Sequence, residues 1–495
     1  MFRSVICLLF TLVIFTTSDA QKSYQEKYRP QIHFSPLTGW MNDPNGLLYD
    51  EGTYHLFFQY YPDSTVWGPM HWGHAVSKDL MHWKQVATAL YPDSTGYVFS
   101  GSSVVDRSNT SGFGVDGKTP LVAIFTQHDM AGEKAGNNHF QNQGVAYSLD
   151  DGNSWTKYPG NPVLRTPGLK DFRDPKVSWY PDQKKWIMVL AAGDRVMFYS
   201  SIDMKTWKKE SEFGSGNGAH GGVWECPDLI LYTINGKKIW LLIVSINPGG
   251  AQGGSSAQYF TGQFDGKTFT PADTITRWAD YGPDNYAGVT FSNTGNEKIF
   301  LGWMSNWQYG TTVPTVKWRS AMTIPRLLGL KNIGGSYFTT MQPVEALDKL
   351  ILKSKTYKHI SPVNNTVISG PTRIEFSVED LHAFSFIFSN LSGQSLRVGY
   401  DEEKNAFFID RTHAGKSDFN PRFATIHYGK RIAKSNESKI TMILDNSSLE
   451  LFADGGLTTM TEIFFPDQPF SILNSAASIK PLENIHISQL ASVWP

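Results

Sequence analysis

Gly39-Trp40-Met41-Asn42-Asp43-Pro44-Asn45-Gly46 is the stretch from which the rest of the sequence can be interpreted. Pro44 biases Asp43 away from helix, and Asn45-Gly46 is a common turn pair. Two strand-like runs follow at 47–49 and 54–60. The pattern predicts a β-hairpin with Asp43 at its mouth rather than in a core. Asp-Pro-Asn-Gly can also be no more than a good turn, so a function for Asp43 depends on other residues.

The size and composition of the chain limit its fold and its partners. With 495 residues the chain is too long for one typical core, so we expect two domains. A formal net charge of -1 gives no indication of binding to nucleic acid or to an anionic membrane. The 15 tryptophans and 44 glycines suit binding of neutral polar molecules with apolar faces, such as sugars, although most tryptophans will fill β-sheet cores.

Residues 1–20 have the pattern of a secretory signal peptide. An apolar run over 5–15 is too short to span a membrane, and small residues at 18–20 predict cleavage before Gln21. The mature chain would be secreted and would keep one cysteine, Cys226, which excludes an intrachain disulfide. In a secreted chain the Asn-X-Ser/Thr sequons are candidate glycosylation sites. They are Asn109, Asn364, Asn390, Asn436 and Asn446.

Short β-type runs separated by Gly, Pro, Asn and Asp predict an all-β protein. One pattern recurs, in which a strand is followed by a tight aspartate-led turn and an aromatic residue that opens the next strand. Its copies lie at 77–83, 148–155, 201–207 and, in weaker form, 264–269. The spacing suits one four-stranded blade per repeat, and further strands around Trp303 suggest a fifth blade. We therefore predict a five-bladed β-propeller catalytic domain over residues 21–343.

A second domain is expected after the propeller. Residues 344–350 form the clearest helical pattern in the chain, and we assign 344–358 as a linker with a short helix. Beyond it only one tryptophan remains, and runs such as 374–378 and 384–388 have the character of strands. We predict a β-sandwich over residues 359–495.

Two further acidic motifs share features with the first. Phe172-Arg173-Asp174-Pro175 and Trp224-Glu225-Cys226-Pro227-Asp228 each place an acid in a loop-to-strand setting with a proline close behind. Like Asp43, each lies near the start of a proposed blade, and the first strand of a blade lines the propeller axis. Asp43, Asp174 and Glu225 are therefore expected to converge in one pocket.

Converging carboxyl groups suit glycoside hydrolysis, which needs one ionised and one protonated carboxyl group at the sugar acetal. Glu225 lies between a tryptophan and Cys226-Pro227, an apolar neighbourhood that favours a protonated acid. Asp43 has the polar residues Asn42 and Asn45 close by, which suits the role of an ionised nucleophile. Asp174 beside Arg173 should stay ionised and bind sugar hydroxyls. The alternative is a surface ion pair between Arg173 and Asp174, which is disfavoured because adjacent strand residues point to opposite faces.

Four motifs together resemble the signature motifs of the invertase, inulinase and levanase family, glycoside hydrolase family 32. They are the 40–46 stretch, Phe99-Ser100-Gly101-Ser102, Phe172-Arg173-Asp174-Pro175 and Trp224-Glu225-Cys226-Pro227-Asp228. The likeness runs from about His33 to Arg326, and no catalytic motif is broken. The resemblance implies a five-bladed propeller joined to a β-sandwich. It also implies retaining hydrolysis of terminal β-D-fructofuranosides, with sucrose as the expected substrate.

The resemblance also implies roles for single residues. Asp43 would be the nucleophile that forms a fructosyl-enzyme, Glu225 the acid and then the base, and Asp174 a stabiliser of the transition state. The positions that would line the fructose pocket are Trp40, Asn42, Gln59, Trp67, Phe99, Ser100, Arg173, Tyr286 and Trp303. No metal or organic cofactor is implied, and the expected partner is a small sugar.

Other functions stay open at this point. A fructan hydrolase or a fructosyltransferase could use the same three acids, with different loops around the leaving group. A non-catalytic fructan-binding lectin would be favoured by loss of one acid, and all three are present. The histidines at 33, 55, 71, 74 and 82 show no zinc-binding spacing. The glycine-rich run 249–254 lacks the lysine and helix of a phosphate loop.

Overall fold

The computed structural model describes residues 23–363, 365–476 and 482–494. The predicted signal peptide at 1–20, its cleavage site before Gln21 and the sequon at Asn364 lie outside the described residues. The described chain forms five mainly antiparallel sheets, followed by two further sheets. No helix in this part of the chain is long and apolar enough to cross a membrane.

The first three sheets each take four consecutive strands. The first contains β1 (Gly39–Asp50), β2 (Thr53–Tyr61), β3 (His71–Ser77) and β4 (Trp83–Gln85). The second contains β5 (Tyr97–Val105), β6 (Leu121–His128), β7 (Gln141–Ser148) and β8 (Thr156–Lys157), with helix α1 (Met130–Lys134) after β6. The third contains β9 (Phe172–Tyr180), β10 (Lys185–Ala192), β11 (Val196–Ser201) and β12 (Lys208–Phe213), with a 3-10 turn at Pro181–Gln183.

The fourth and fifth sheets complete the amino-terminal domain. The fourth contains β13 (Val223–Ile234), β14 (Lys237–Asn247), β15 (Ser256–Phe264), β16 (Phe269–Pro271) and β17 (Arg277–Trp278). The next strands in the chain are β18 (Tyr286–Thr290), β19 (Ile299–Met304), β20 (Trp318–Arg319), β21 (Ala321–Met322), β22 (Arg326–Ile333) and β23 (Ser336–Pro343). All of these belong to the fifth sheet except β20, which pairs in parallel with β1.

The first strands of the five sheets surround a common axis. β1 contacts β5, β5 contacts β9, β9 contacts β13, β13 contacts β18, and β18 contacts β1 again. The pairing of β20 with β1 joins the end of this ring to its beginning. This arrangement confirms the predicted β-propeller.

The repeated aspartate-led turn joins the third and fourth strands of four sheets. Asp79, Asp203 and Asp265 each accept hydrogen bonds from the backbone N–H groups two and three residues further on. Asp150 accepts instead from the backbone N–H of Ser154, four residues further on. Aspartate is favoured at these positions because its carboxylate satisfies the N–H groups of a tight turn. The sequence repeat is therefore the outer turn of each sheet.

Every innermost strand changes its pairing register once or more. The shifts lie at 41–44 and 45–48 in β1, 99–101 in β5, 173–176 in β9, 225–228 in β13 and 286–289 in β18. A proline falls in three of these bulges, where its missing N–H does not weaken the ladder. The bulges hold the three acidic motifs of the sequence.

The prediction for Asp43 is corrected by this finding. The turn of the first hairpin is at 51–52, and Asp43 lies inside β1, not at the mouth of the hairpin. Gly46 has a positive φ of 51°, which favours glycine. A Cβ at this position would also lie only 2.7 Å from the ring of Phe57. Asp-Pro-Asn-Gly is a bulged strand here, because tertiary packing overrides its turn preference.

The carboxyl-terminal domain begins with a 3-10 helix at Glu345–Leu350 and continues as twelve strands. They are β24 (Ile351–Tyr357), β25 (Thr366–Val367), β26 (Thr372–Val378), β27 (Phe384–Ser389), β28 (Ser395–Asp401), β29 (Ala406–His413), β30 (Ile426–Lys430), β31 (Ser438–Leu444), β32 (Ser448–Ala453), β33 (Thr458–Ile463), β34 (Ile472–Ser475) and β35 (Ile485–Leu490). One sheet has the order β24-β35-β26-β31-β32-β33, and the other β25-β34-β27-β28-β29-β30. Apolar residues of both sheets form one core, as in the predicted β-sandwich.

The predicted linker at 344–358 is wrong in its second half. Its helical part is a 3-10 helix, but Ile351–Tyr357 is a strand at the edge of the sandwich, paired with β35. Five of its seven residues are exposed, so it lacks the apolar alternation that marks a half-buried strand.

Buried charges join the two domains. Arg326 of the propeller donates to Asp280 at 2.9 Å and to Glu450 of the sandwich at 2.5 Å from Nη2. His33 lies between Asp445 (2.8 Å) and Glu450 (2.9 Å), and all of these side chains are fully buried. A buried charge of this kind is tolerated only with partners, so each domain needs the other here.

The candidate glycosylation sites differ in their exposure. Asn109 and Asn436 are exposed, and Asn446 is half-buried and donates to the backbone oxygen of Arg29 at 3.0 Å. Asn390 is buried, and its amide nitrogen donates to Gln394 and to the backbone oxygen of residue 468. The folded chain leaves no room for a glycan at Asn390, so that candidate is not supported.

Candidate active site

The bulges bring the three predicted acids together at the propeller axis. Asp43 comes from β1, Asp174 from β9 and Glu225 from β13. The thiol Sγ of Cys226 lies 3.5 Å from Oδ2 of Asp43 and 3.6 Å from Oδ2 of Asp174. Arg173 reaches Glu225, so one thiol and one guanidinium link the whole group.

Two donors besides the thiol of Cys226 orient the carboxylate of Asp43. Ser100 Oγ donates to Oδ2 at 2.7 Å, and Asn42 Nδ2 donates to Oδ1 at 3.0 Å. Trp40 Nε1 donates to Asn42 Oδ1 at 2.7 Å, which turns the amide nitrogen toward Asp43. Burial raises the pKa of Asp43, the bond from Ser100 opposes this rise, and the charge of Glu225 adds to it.

Arg173 binds a different acid from the one expected. Its Nε and Nη2 donate to Oε1 of Glu225 at 3.2 and 3.0 Å, and Nη1 donates to Asp171 at 2.6 Å. Asp174 Oδ2 is 4.0 Å from Nε. The expected pairing of Arg173 with Asp174 is therefore wrong as its main contact. The surface ion pair is wrong too, because φ of 65° at Asp174 lets both adjacent side chains reach one pocket.

Asp174 is buried among groups of its own charge. Its Oδ2 accepts the backbone N–H of Cys226 at 3.0 Å. Burial raises the pKa of Asp174 to about 7. The charge of Arg173 opposes this rise, whereas Glu225 and Asp43 increase it. The expectation that Asp174 is held firmly ionised is thus corrected, because its arginine neighbour mainly serves Glu225.

Glu225 has a polar environment. The hydroxyl of Tyr286 donates to its Oε2, opposite the oxygen that Arg173 holds. The side chain of Trp224 points away, packs on Phe260 and donates to the backbone oxygen of Ala219. The apolar neighbourhood expected for Glu225 is absent from this side, because adjacent strand residues alternate between faces. Burial and the charge of Glu225 raise the pKa of Tyr286 well above its ordinary value, so it stays a donor.

Sequence reasoning missed a place for Cys226 in the site. The thiol of Cys226 is buried and free. Burial raises the pKa of this thiol well above its ordinary range, and the nearby Asp174 and Asp43 add to the rise. Because only a thiolate is nucleophilic, Cys226 acts here as a weak hydrogen-bond donor between two aspartates. Its position directly after Glu225 was the only available signal.

The predicted pocket residues are of two kinds, polar residues around the carboxylates and aromatic residues beside them. Asn42, Ser100 and Arg173 touch the carboxylates, as described above. Gln59 is buried and donates to Asn45 Oδ1 at 2.8 Å, behind the bulge that carries Asp43.

The predicted aromatic residues form a single apolar cluster beside the acids. Its members include Trp40, Trp67, Phe99, Tyr286 and Trp303. Trp307, which the sequence did not single out, packs on Trp40 and Trp303 with ring centroids 5.8 and 5.0 Å apart. Trp40, Tyr286 and Trp303 are fully buried, whereas Trp67 and Phe99 are half-buried and offer ring surface beside the carboxylates, which suits the C–H face of a sugar.

Nothing in the described part of the chain suggests a metal centre. No group of three or more His, Cys, Asp or Glu there is placed to hold a metal ion. Of the clustered histidines, His55 and His74 hydrogen-bond each other at 3.1 Å, and burial lowers the pKa of these two groups to about 4 and about 3.

Comparison with known proteins agrees with this geometry. The model for the glycosyl hydrolases family 32 N-terminal domain matches residues 33–341, and that for the family 32 C terminal matches 344–489. The chain belongs to glycosyl hydrolase family 32. It is therefore a glycosidase of the fructofuranosidase family, as the four motifs implied.

Three similar proteins illustrate the range of the family. The levanase of Bacillus subtilis (strain 168) is 44% identical over 99% of this chain and 75% of that protein. The invertase of Debaryomyces hansenii is 37% identical over 93% of this chain and 92% of that protein. The crystal structure of exo-inulinase from Aspergillus awamori matches with a TM-score of 0.88 at 38% identity, covering 95% of this chain and 100% of that one.

Proposed function

We propose that the protein is a secreted, retaining β-fructofuranosidase that releases terminal fructose from fructans and from sucrose. The observation that carries the proposal is the placement of three carboxyl groups, from three separate strands, around one arginine and one thiol. Glycoside hydrolysis with retention needs a carboxylate nucleophile and a carboxylic acid on the two sides of one bond. The secretory pattern at residues 1–20 supports export of the protein.

In the first step Asp43 attacks the anomeric carbon of the terminal fructosyl unit. Ser100 and Asn42 fix its two oxygens, so the attacking lone pair is directed before substrate arrives. Glu225 gives its proton to the leaving oxygen. The new bond joins Asp43 to the sugar, and the glycosidic bond breaks.

In the second step Glu225 takes a proton from water, which attacks the same carbon and frees Asp43. Arg173 and Tyr286 hold the carboxylate form of Glu225 between the steps. Asp174, buried beside both reacting groups, is suited to hydrogen-bond sugar hydroxyls as charge develops on the ring. Retention predicts that the carboxyl groups of Asp43 and Glu225 lie about 5–5.5 Å apart.

The choice of substrate rests on the relatives. Sequence motifs led us to expect sucrose, but the levanase match is higher in identity and in the share of this chain that it covers than the invertase match. This order favours fructan chains, with sucrose as the second candidate. Fructosyl transfer and carbohydrate binding without hydrolysis are the alternatives that the test must separate.

The test is product analysis of the purified protein on levan, inulin, raffinose and sucrose. We expect free fructose as the first product from all four, faster from the fructans, and none with Glu225→Gln. Methanol added as acceptor should give methyl β-D-fructofuranoside, which reports retention. Longer oligosaccharides in place of fructose would indicate a transferase. Binding of fructan without turnover by the wild type would contradict the proposal and favour a lectin.

A further inference from the structure

The last strand of one sandwich sheet is covered by the propeller. β33 pairs with β32 on one side, and on its other side it meets residues 279–284. Tyr281 N donates to Thr459 O at 2.8 Å, and Asp284 N donates to Thr461 O at 3.2 Å. Thr459 Oγ1 donates to Ala279 O at 2.9 Å. An edge strand exposes unpaired backbone groups, and here the propeller segment occupies them.

Two aspartates strengthen this contact from the propeller side. Asp280 accepts from Thr461 through both N (2.9 Å) and Oγ1 (2.6 Å). Asp284 Oδ2 accepts from Ile463 N at 3.0 Å and from Arg411 Nη1 at 2.7 Å. Both aspartates and Arg411 are almost fully buried. The segment 279–285 is therefore held by the sandwich on one side and by propeller residues such as Ala257 and Asn306 on the other.

The fit between segment and strand leaves no space. A Cβ added to Gly282 would lie 2.2 Å from Thr461 O and 2.3 Å from Thr461 N. Both atoms belong to the backbone of β33, so they cannot rotate away as a flexible side chain would. Any larger residue at 282 must move the segment off the strand.

The same segment leads directly into the active site. Asp284 is two residues before Tyr286, whose hydroxyl donates to Glu225. Tyr309 OH donates to Asp284 Oδ1 at 2.5 Å, and Arg411 Nη2 donates to Tyr309 OH at 3.0 Å. Arg411 and Tyr309 therefore hold the two carboxylate oxygens of Asp284, which belongs to the same backbone segment as Tyr286.

We propose that Arg411 and strand β33 of the sandwich are positioning elements for catalysis, because they place Tyr286 against the carboxyl group of Glu225. The inference rests on the proposed function of Glu225 as acid and base. It assigns to the second domain a role in the chemistry of the first. A purely structural role would affect stability and leave the behaviour of Glu225 unchanged.

The expected direction follows from the groups that face Glu225. They are Arg173 and Asp174 of β9, Asp43 of β1, Cys226 of its own strand and Tyr286 of β18. Moving the Tyr286 hydroxyl removes a donor that favours the ionised carboxylate. The alkaline limb of kcat/KM should then move to higher pH. Tyr286→Phe removes the hydroxyl altogether and should therefore show the largest shift of the alkaline limb.

The experiment compares Arg411→Lys, Gly282→Ala and Tyr286→Phe with a matched control, Arg431→Lys. Arg431 is also a buried sandwich arginine, but its bonds go to Asp454 and to the backbone oxygens of Ser435 and Glu437. We expect Arg411→Lys and Gly282→Ala to lower kcat by about 3- to 30-fold with little change in KM. Their alkaline limbs should move in the same direction as that of Tyr286→Phe, whereas Arg431→Lys should only lower the melting temperature.

A double variant provides the sharper test. In Arg411→Lys/Tyr286→Phe the arginine change should add no further shift, because the group through which it acts is gone. A full additive shift, or an Arg411→Lys profile identical to that of Arg431→Lys, would overturn the inference.

A second readout does not depend on turnover. The ¹³C chemical shift of the Glu225 carboxyl group, obtained at one fixed pH as the difference from the matching Glu225→Gln protein, should change in Arg411→Lys, Gly282→Ala and Tyr286→Phe but not in Arg431→Lys. If wild type releases no fructose, the proposed function fails, while this chemical shift still supports or overturns the positioning role. If wild type is active and the chemical shifts of all variants coincide with that of wild type, only the positioning role fails.

Discussion

The guanidinium of Arg173 holds one oxygen of Glu225 with two hydrogen bonds, from Nε at 3.2 Å and Nη2 at 3.0 Å. This fork leaves the second oxygen of Glu225 for Tyr286. It also leaves Asp174 with only a longer ion pair to Arg173, 4.0 Å from Oδ2 to Nε, and no hydrogen bond from the guanidinium. The single arginine of the site therefore neutralises mainly Glu225, one of the three inner carboxyl groups.

Arg173→Lys should damage catalysis although it keeps the charge. Lysine is a single point donor and cannot hold Glu225 and Asp171 with the same fixed fork. We expect kcat/KM for sucrose to fall by about 10²- to 10³-fold, measured as initial rates of fructose release. Arg165→Lys, at an exposed position, is the control and should keep full activity. A loss of less than tenfold would argue against the fork.

Asp43→Asn should remove nearly all hydrolysis while the fold is kept. The amide can still receive the hydrogen bond of Ser100, but it cannot attack carbon. Fructose release and circular dichroism are the measurements, and Asp116→Asn, an exposed residue with positive φ that asparagine tolerates, is the control. Turnover of sucrose within tenfold of wild type would show that Asp43 is not the nucleophile.

Asp174→Asn should abolish activity and stabilise the protein at alkaline pH. The pKa of Asp174 is raised from 3.8 to about 7 in the folded protein. Its contribution to stability is therefore complete below pH 3.8 and is lost as the pH rises through about 7. Because the amide does not titrate, the free energy of unfolding of the variant should gain about 1–3 kcal/mol on wild type between pH 5 and pH 8. Parallel urea titrations at the two pH values measure this, and equal differences would contradict the raised pKa.

His33→Gln should destabilise the joint between the domains in a pH-dependent way. Burial alone would lower the pKa of His33, but hydrogen bonds to Asp445 and Glu450 raise it to about 9. The stabilisation is fully present below pH 6.5 and is lost as the pH rises through about 9. We expect a loss of about 2–4 kcal/mol at pH 6 and a smaller loss at pH 9.5.

Denaturant unfolding of His33→Gln at the two pH values checks this, with the exposed His413→Gln as control. A destabilisation that is the same at both pH values would show that His33 is not charged in the folded protein.

The sequence predicted the fold and the convergence of three acids in one place because both have strong local signatures. The aspartate-led turns repeat, and each acid is followed closely by a proline. Pro44 also caused the error at Asp43, because the sequence Asp-Pro-Asn-Gly is compatible with both a turn and a bulged strand. Only the neighbouring strands β2 and β5 decide between the two.

The hydrogen-bond partners of the site residues could not be predicted from which residues are neighbours in the sequence. Arg173 precedes Asp174 in sequence, but a positive φ at Asp174 and a bulge turn the arginine toward Glu225 on the next sheet. The contact between the two domains could not be predicted either, because Arg411 and Asp284 are 127 positions apart in the sequence. Buried ion pairs across such distances leave no periodic pattern in a sequence.

The most direct test of the account is to locate the covalent intermediate. Glu225→Gln should still react with fructosyl fluoride, whose leaving group needs little protonation, but should hydrolyse the product slowly because it lacks the base. Peptide mass spectrometry of the quenched protein is predicted to place the fructosyl group on Asp43, within the fragment that carries β1. A fructosyl group on Asp174 or on another residue, or fast inverting hydrolysis with no adduct at all, would contradict the account.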